Sequence, residues 1–270
     1  MTIDEKYEDL KRILKDMGGV LVAHSGGVDS TLLAKVAYDA LGTRALAVTV
    51  RSQLHAEFEE KEARSLARDI GIPHEVVEVD ALSVAGLVEN PPERCYICKN
   101  GIFGKLLEIA RARELPFVAE GSNASDTGDF RPGMKAVREL GVRSPLLEAG
   151  LTKEEIRELS RRLGLASWDK PSYACLASRI PYGERITREK LRAIEQAEDI
   201  LRWAGYRVFR VRHHGKVARI EMAPEEMKAF LVNPKLDMLI RKIKALGFSY
   251  VALDLEGYRT GSLNEPLARK

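Results

Sequence analysis

The string Ser25-Gly26-Gly27-Val28-Asp29-Ser30 constrains this chain more than any other feature. It follows a short apolar run, Val20-Leu21-Val22-Ala23, and precedes apolar residues at helical spacing through Leu41 (Leu32, Leu33, Val36, Ala37, Ala40). That order reads as buried strand, glycine turn and helix. Two glycines let the backbone approach a ligand closely, and the free amides of a helix start point outward. Such a loop suits phosphate. The Ser25 and Ser30 hydroxyls add donors, while Asp29 cannot bind phosphate directly but can hold a metal or orient an amide. The lysine of GxxxxGK[ST] is absent, as is the spaced GxGxxG of a dinucleotide site.

The flanking chain repeats the pattern. Thr2 and Glu5 have capping-box spacing at the head of an amphipathic helix over 3–16, which Gly18-Gly19 stops. Strands are expected at 20–23, 45–50, 75–79 and 116–119, with helices to 41 and over 56–70 and 98–113. Strand and helix in alternation predict an α/β fold, a doubly wound parallel sheet with helices on both faces. Another helix is expected over 151–164, with Thr152 and Glu155 at capping-box spacing. After the irregular stretch 166–187 the rhythm changes. A helix over 188–204, a hairpin of 206–212 and 217–222 with His213 and His214 in its turn, helices over 224–232 and 236–246, and a strand over 248–253 predict a smaller α+β domain. The boundary falls near residue 170, giving domains 1–170 and 171–270. Hydrophobic residues at 45% of 270 exclude a mainly disordered chain. The longest apolar runs are too short for a bilayer, and the N-terminus has no apolar signal core, so a cytoplasmic protein is expected.

The three cysteines are an odd number, and no disulfide framework is expected. Cys95 and Cys98 form a CxxC; Cys175 stands alone in the irregular stretch. The pair suits a redox couple, half of a zinc site completed by His213 or His214, or an iron–sulfur cluster held by three thiolates. Residues 207–219 hold four arginines and one lysine with no acid. Strand alternation puts Arg210 and Arg212 on one face and Phe209 and Val211 on the other, so two guanidinium groups could grip one phosphate. The plain alternative is a solvated sheet face.

The glycine loop resembles that of the PP-loop ATP pyrophosphatases. The resemblance implies ATP, with magnesium, at the carboxyl ends of the strands, and cleavage to AMP and pyrophosphate as a carboxyl or carbonyl oxygen is adenylated. It places Ala23, His24, Ser25, Gly26, Gly27, Asp29 and Ser30 on ATP, and Val50 and Ser52 near the adenine. The stretch 120–126 looks like the family's second loop, with Glu120, Gly121 and Asp126 as nucleotide or magnesium contacts. KPSYACLASRIPYGERIT (170–187), DFRPGMKAVRELGVRSPL (129–146) and LDLEGYRTGSLNE (253–265) closely resemble signatures of the LarE family of ATP-dependent sulfur transferases.

That resemblance implies conversion of the carboxylates of pyridinium-3,5-biscarboxylic acid mononucleotide to thiocarboxylates, a step toward the nickel-pincer cofactor of lactate racemase. It implies that Cys175 is essential, and that Ser178, Arg179, Arg210 and Arg212 hold the substrate phosphate. It also implies a homo-oligomer, with a sulfur source that is unknown. In the single-cysteine form of the family, Cys175 would surrender its own sulfur. The added Cys95 and Cys98 resemble a three-cysteine branch holding a 4Fe-4S cluster, which is the expectation here. Two rivals stand beside this reading. A tRNA-thiolating enzyme would need a wide basic surface, whereas net charge is only +3 and no nucleic acid is expected. A non-catalytic nucleotide- or iron-binding sensor would leave the intact SGGVDS and Cys175 unexplained.

Overall fold

The computed structural model describes residues 1–128, 132–171, 173–259 and 261–265. Residues 129–131, Ser172 and Thr260 fall in the signature stretches above and lie outside the described residues, as do residues 266–270. The chain divides into two compact units: Met1–Val84 with Glu93–Tyr173, and Ala85–Pro92 with Ala174–Lys270.

The first unit is α/β. Its elements run α1 (Ile3–Met17), β1 (Val20–Ala23), α2 (Val28–Leu41), β2 (Ala45–Arg51), α3 (Glu57–Ile70), β3 (His74–Glu78), α4 (Arg94–Ala112), β4 (Phe117–Ala119), α5 (Pro132–Glu139), α6 (Pro145–Glu148) and α7 (Lys153–Arg162). The strands form one sheet in the order β3-β2-β1-β4, and every pairing is parallel. Alternate strand residues feed two separate cores. Val20, Val22, Ala45 and Ala47 pack with α1, α2 and α7. Leu21, Leu46, Val48 and Val118 pack with Phe103 and Leu106 of α4 and Val137 of α5. Both faces are therefore covered, which is why these strands read as continuous apolar runs. Strands β1 to β3 wind outward in one direction while β4 lies on the other side of β1. Ligands bind at such a reversal, beyond the carboxyl ends of the adjoining strands.

The second unit is α+β: α8 (Arg188–Trp203), β5 (Phe209–His214), β6 (Val217–Met222), α9 (Pro224–Leu231), α10 (Leu236–Lys244) and β7 (Tyr250–Leu253). β6 pairs antiparallel with β5 and parallel with β7. Residues 85–92 join this unit through backbone and side-chain bonds. The Ile186 amide donates to the Val88 carbonyl, and the Asn90 amide group donates to the Ile180 and Pro181 carbonyls at 3.2 and 2.7 Å.

Several elements depart from the sequence expectation. α4 begins at Arg94, one turn before the expected start at 98, and carries both cysteines of the CxxC; Glu93 is its N-cap, following Pro91-Pro92. α5 lies inside the stretch 129–146, read from the sequence only as a signature. The helix expected over 151–164 is α7 alone, since Gly150 at φ +68° separates it from the short α6. His213 and His214 belong to β5, and the hairpin turn is Gly215-Lys216. Both capping boxes are present. No helix among the described residues is long and apolar enough to cross a membrane.

Candidate functional site

The loop between β1 and α2 sits at the reversal of strand order. Gly27 is the N-cap of α2 and has no side chain to cap the helix, so the first-turn amides keep their outward donors. Gly26 adopts φ +71°, and a Cβ there would lie 3.0 Å from Ala63 of α3. Only glycine fits that approach. The two serines brace the loop: the Ser25 amide donates to Ser30 Oγ at 3.1 Å, and the two hydroxyls lie 3.1 Å apart. The Gly27 amide reaches Ser25 Oγ at 3.4 Å.

His24 enters the loop buried. Its Nε2 lies 3.2 Å from the Ala63 carbonyl, and its Nδ1 has no hydrogen-bond partner among the described residues. Burial, with His74 second, pushes its pKa down to about 4. Thr49 Oγ1 donates to the His24 carbonyl at 2.7 Å and meets His74 Nε2 at 2.8 Å.

The segment after β4 closes on this loop. A Cβ on Gly121 would lie 3.1 Å from both Asp29 Cβ and the Ser30 amide nitrogen. Asn123 Nδ2 donates to Asp29 Oδ1 at 3.3 Å, and Lys153 Nζ to Asp29 Oδ2 at 2.5 Å. Glu120 is buried and accepts from the Ser122 amide (3.0 Å), Ser144 Oγ (2.7 Å) and Lys99 Nζ (3.3 Å). Burial alone would raise its pKa, but Lys99 and these hydrogen bonds outweigh it and hold the carboxyl below its ordinary range. Asp126 Oδ2 accepts from the Asn123 amide at 3.0 Å. Val50 and Ser52 lie at the end of β2, and Ser52 Oγ meets His55 Nδ1 at 2.9 Å. Asp29, Glu120 and Asp126 thus line one loop pair with Lys99 and Lys153.

Cys95 and Cys98 lie one turn apart in the first turns of α4. Two thiols are half of a tetrahedral metal site, and among the described residues no group of three or more His, Cys, Asp or Glu side chains is arranged to hold a metal ion.

In the second unit Cys175 is a partly exposed free thiol that leads into a 3-10 turn, Leu176–Arg179. Its backbone is clamped from below. The buried Arg179 guanidinium donates to the carbonyls of Ala174 and Cys175 (the latter at 3.0 Å) and to Ser178 Oγ at 3.1 Å. It also pairs in bidentate fashion with buried Glu198 at 2.9 and 3.0 Å. Arg212 pairs likewise with Glu221 at 3.0 and 2.8 Å, and donates to the Ser178 carbonyl at 2.7 Å and Ser262 Oγ at 2.9 Å. Arg210 lies over the Tyr258 ring, 5.0 Å from its centroid. Burial, then Arg179, pulls its guanidinium below its ordinary pKa. These arginines do not form a solvated face: all three are buried.

Residues 5–92 match the family model described as NAD synthase. The chain is 43% identical to an uncharacterized protein of Synechocystis sp., covering 99% of this chain and 100% of that one. It is 38% identical over 269 residues to the pyridinium-3,5-bisthiocarboxylic acid mononucleotide synthase of Lactiplantibacillus plantarum, covering 99% of this chain and 97% of that one. The chain belongs to the LarE family. A more distant match, 30% identical over 221 residues to the glutamine-hydrolyzing GMP synthase of Aeropyrum pernix, covers 74% of this chain but 42% of that protein.

For this LarE-family chain, the fold gathers Ser25, Gly26, Gly27, Asp29, Ser30, Glu120, Gly121 and Asp126 into one pair of neighbouring loops. His24 and Ala23 flank that pair, with the His24 ring turned toward α3. Ser178, Arg179, Arg210 and Arg212 gather in the second unit. Sequence reasoning missed Lys153, Lys99, Asn123 and Ser144, which hold the loop carboxylates, and Glu198 and Glu221, which hold the arginines. No local pattern announces them, since Lys153 and Asp29 stand 124 residues apart.

Proposed function

We propose that this chain is an ATP-dependent sulfur transferase. It converts the carboxylates of pyridinium-3,5-biscarboxylic acid mononucleotide to thiocarboxylates through an adenylate, in the cytoplasm and as a homo-oligomer. The observation that carries this reading is similarity over 99% of the chain to a synthase named for the bisthiocarboxylic product.

The amides of Gly27 and the first turn of α2 grip the phosphates of ATP, with Ser25 and Ser30 as further donors. Asp29, paired with Lys153, would hold magnesium with Glu120 or Asp126. A substrate carboxylate oxygen attacks the α-phosphorus and pyrophosphate leaves. Where no cluster is bound, the Cys175 thiolate attacks the activated carbonyl carbon and AMP leaves, giving a thioester. Elimination across the Cys175 Cα and Cβ releases the thiocarboxylate and leaves dehydroalanine. Arg210, and Arg179 and Arg212 through the backbone they fix, provide the site for the substrate phosphate. Cys95, Cys98 and Cys175 would hold a 4Fe-4S cluster, which when bound supplies an exchangeable sulfide that spares the protein.

The test follows AMP, pyrophosphate and thiocarboxylate in an anaerobic reaction with the biscarboxylic mononucleotide. Cys175→Ala is expected to form AMP and pyrophosphate but no thiocarboxylate; full sulfur transfer by that variant overturns the assignment. Iron and acid-labile sulfide on anaerobically purified protein separate the two sulfur routes. Iron lost on changing Cys95 or Cys98 supports the cluster. Iron-free active protein that ends lighter by one hydrogen sulfide identifies Cys175 as the donor.

A further inference from the structure

Lys170 opens the signature stretch 170–187, and none of the steps above employs it. Its ammonium donates to the Gly26 carbonyl at 2.8 Å and to Glu62 Oε2 at 2.7 Å. Only 16% of the side chain is exposed. Its own backbone is anchored: the Lys170 amide donates to the Ser167 carbonyl, and Arg157 donates to the carbonyls of Lys170 and Trp168 at 2.7 and 2.6 Å. Tyr173 meets Phe58 of α3 edge-on, with ring centroids 5.3 Å apart. The ammonium is thus held in place both from its own segment and from α3.

The peptide joining Gly26 to Gly27 is trans, so its carbonyl and its N–H point in opposite directions. Binding the carbonyl to Lys170 aims the Gly27 N–H into the loop. There its partner is Ser25 Oγ at 3.4 Å, a long bond that a phosphate oxygen would readily replace. Two consecutive glycines leave this peptide free to flip, and a flipped peptide would present its carbonyl to an incoming anion. The loop carries no lysine of its own to oppose that flip. A cation on the carbonyl also polarises the peptide and strengthens its N–H as a donor.

We infer that Lys170 is the positioning residue of the nucleotide loop: it locks the Gly26–Gly27 peptide with its N–H toward the phosphates. This rests on the ATP-using reading proposed above. The test is calorimetry with ATP and with inorganic pyrophosphate, alongside the NMR signal of the Gly27 amide. Lys170→Met is expected to weaken pyrophosphate binding roughly tenfold, the usual worth of a hydrogen bond to a charged group. Lys170→Arg should restore most of that loss. In the unmodified protein pyrophosphate should move the Gly27 amide proton downfield, and in Lys170→Met it should not. Glu62→Gln, which leaves the Gly26 bond in place, should bind at least as tightly as the unmodified protein.

Unchanged binding by Lys170→Met, a Gly27 shift retained in it, or weaker binding by Glu62→Gln would each overturn the role of Lys170. An unmodified protein that binds neither ATP nor pyrophosphate overturns the ATP reading itself, and this inference with it.

Discussion

His24 shows how much one buried ring can weigh. In the folded chain its pKa is about 4, against an ordinary 6.5. The unfolded chain therefore takes up a proton that the folded chain refuses between those values. Stability from this group is complete above pH 6.5, and it falls as pH drops toward 4, by about 3 kcal/mol in all. His24→Phe keeps the bulk and removes the titration. Urea midpoints across pH 4.5–7.5 should fall less steeply in the variant, and equal slopes would show that other groups carry the effect. Arg179 presents the opposite case, a buried charge already paired. Arg179→Met leaves the buried Glu198 carboxylate with the Val211 amide but without its bidentate partner, and should cost about 3–5 kcal/mol in urea unfolding. Replacing Glu198 by Leu as well should recover part of that loss.

At the scale of elements, the site depends on how two helices begin. α2 begins on a glycine that caps nothing, so its amides remain available to an anion. α7 begins on a full capping box at Thr152 and Glu155, which fixes the turn presenting Lys153 to Asp29. Thr152→Ala should lower stability by about 1 kcal/mol in thermal or urea unfolding. It should also loosen the Lys153–Asp29 pair, read as weaker magnesium-dependent ATP binding. Gly26→Ala is the harsher change, because it adds a Cβ 3.0 Å from Ala63 in a left-handed conformation. ATP affinity should fall at least tenfold, an amount that about 1–2 kcal/mol of backbone strain already accounts for in large part. A variant that binds ATP normally would mean the loop relaxes around the added methyl group.

The whole molecule has two units that exchange a piece of chain. Residues 85–92 interrupt the first unit in sequence but bond within the second, through Val88 and Asn90. A fragment ending at Tyr173 deprives that piece of its partners. Limited proteolysis should find new cuts within 85–92 in the fragment, whereas the same bonds stay protected in the intact chain. An equally resistant fragment would show that those hydrogen bonds do not hold the segment.

The sequence by itself determined the strand–loop–helix units, the parallel sheet and the glycine loop, because apolar periodicity, caps and glycines act over a few residues. His213 and His214, assigned to a turn, became strand because a two-residue turn is enough to close the hairpin. Only the tertiary structure decided that Lys153 meets Asp29, that Lys99 meets Glu120, and that Lys170 holds the Gly26 carbonyl. It alone decided that the arginine strand is buried against Glu198 and Glu221. Those pairings join residues distant in sequence, and the requirement that every buried charge find a partner selects them only once packing has removed the water.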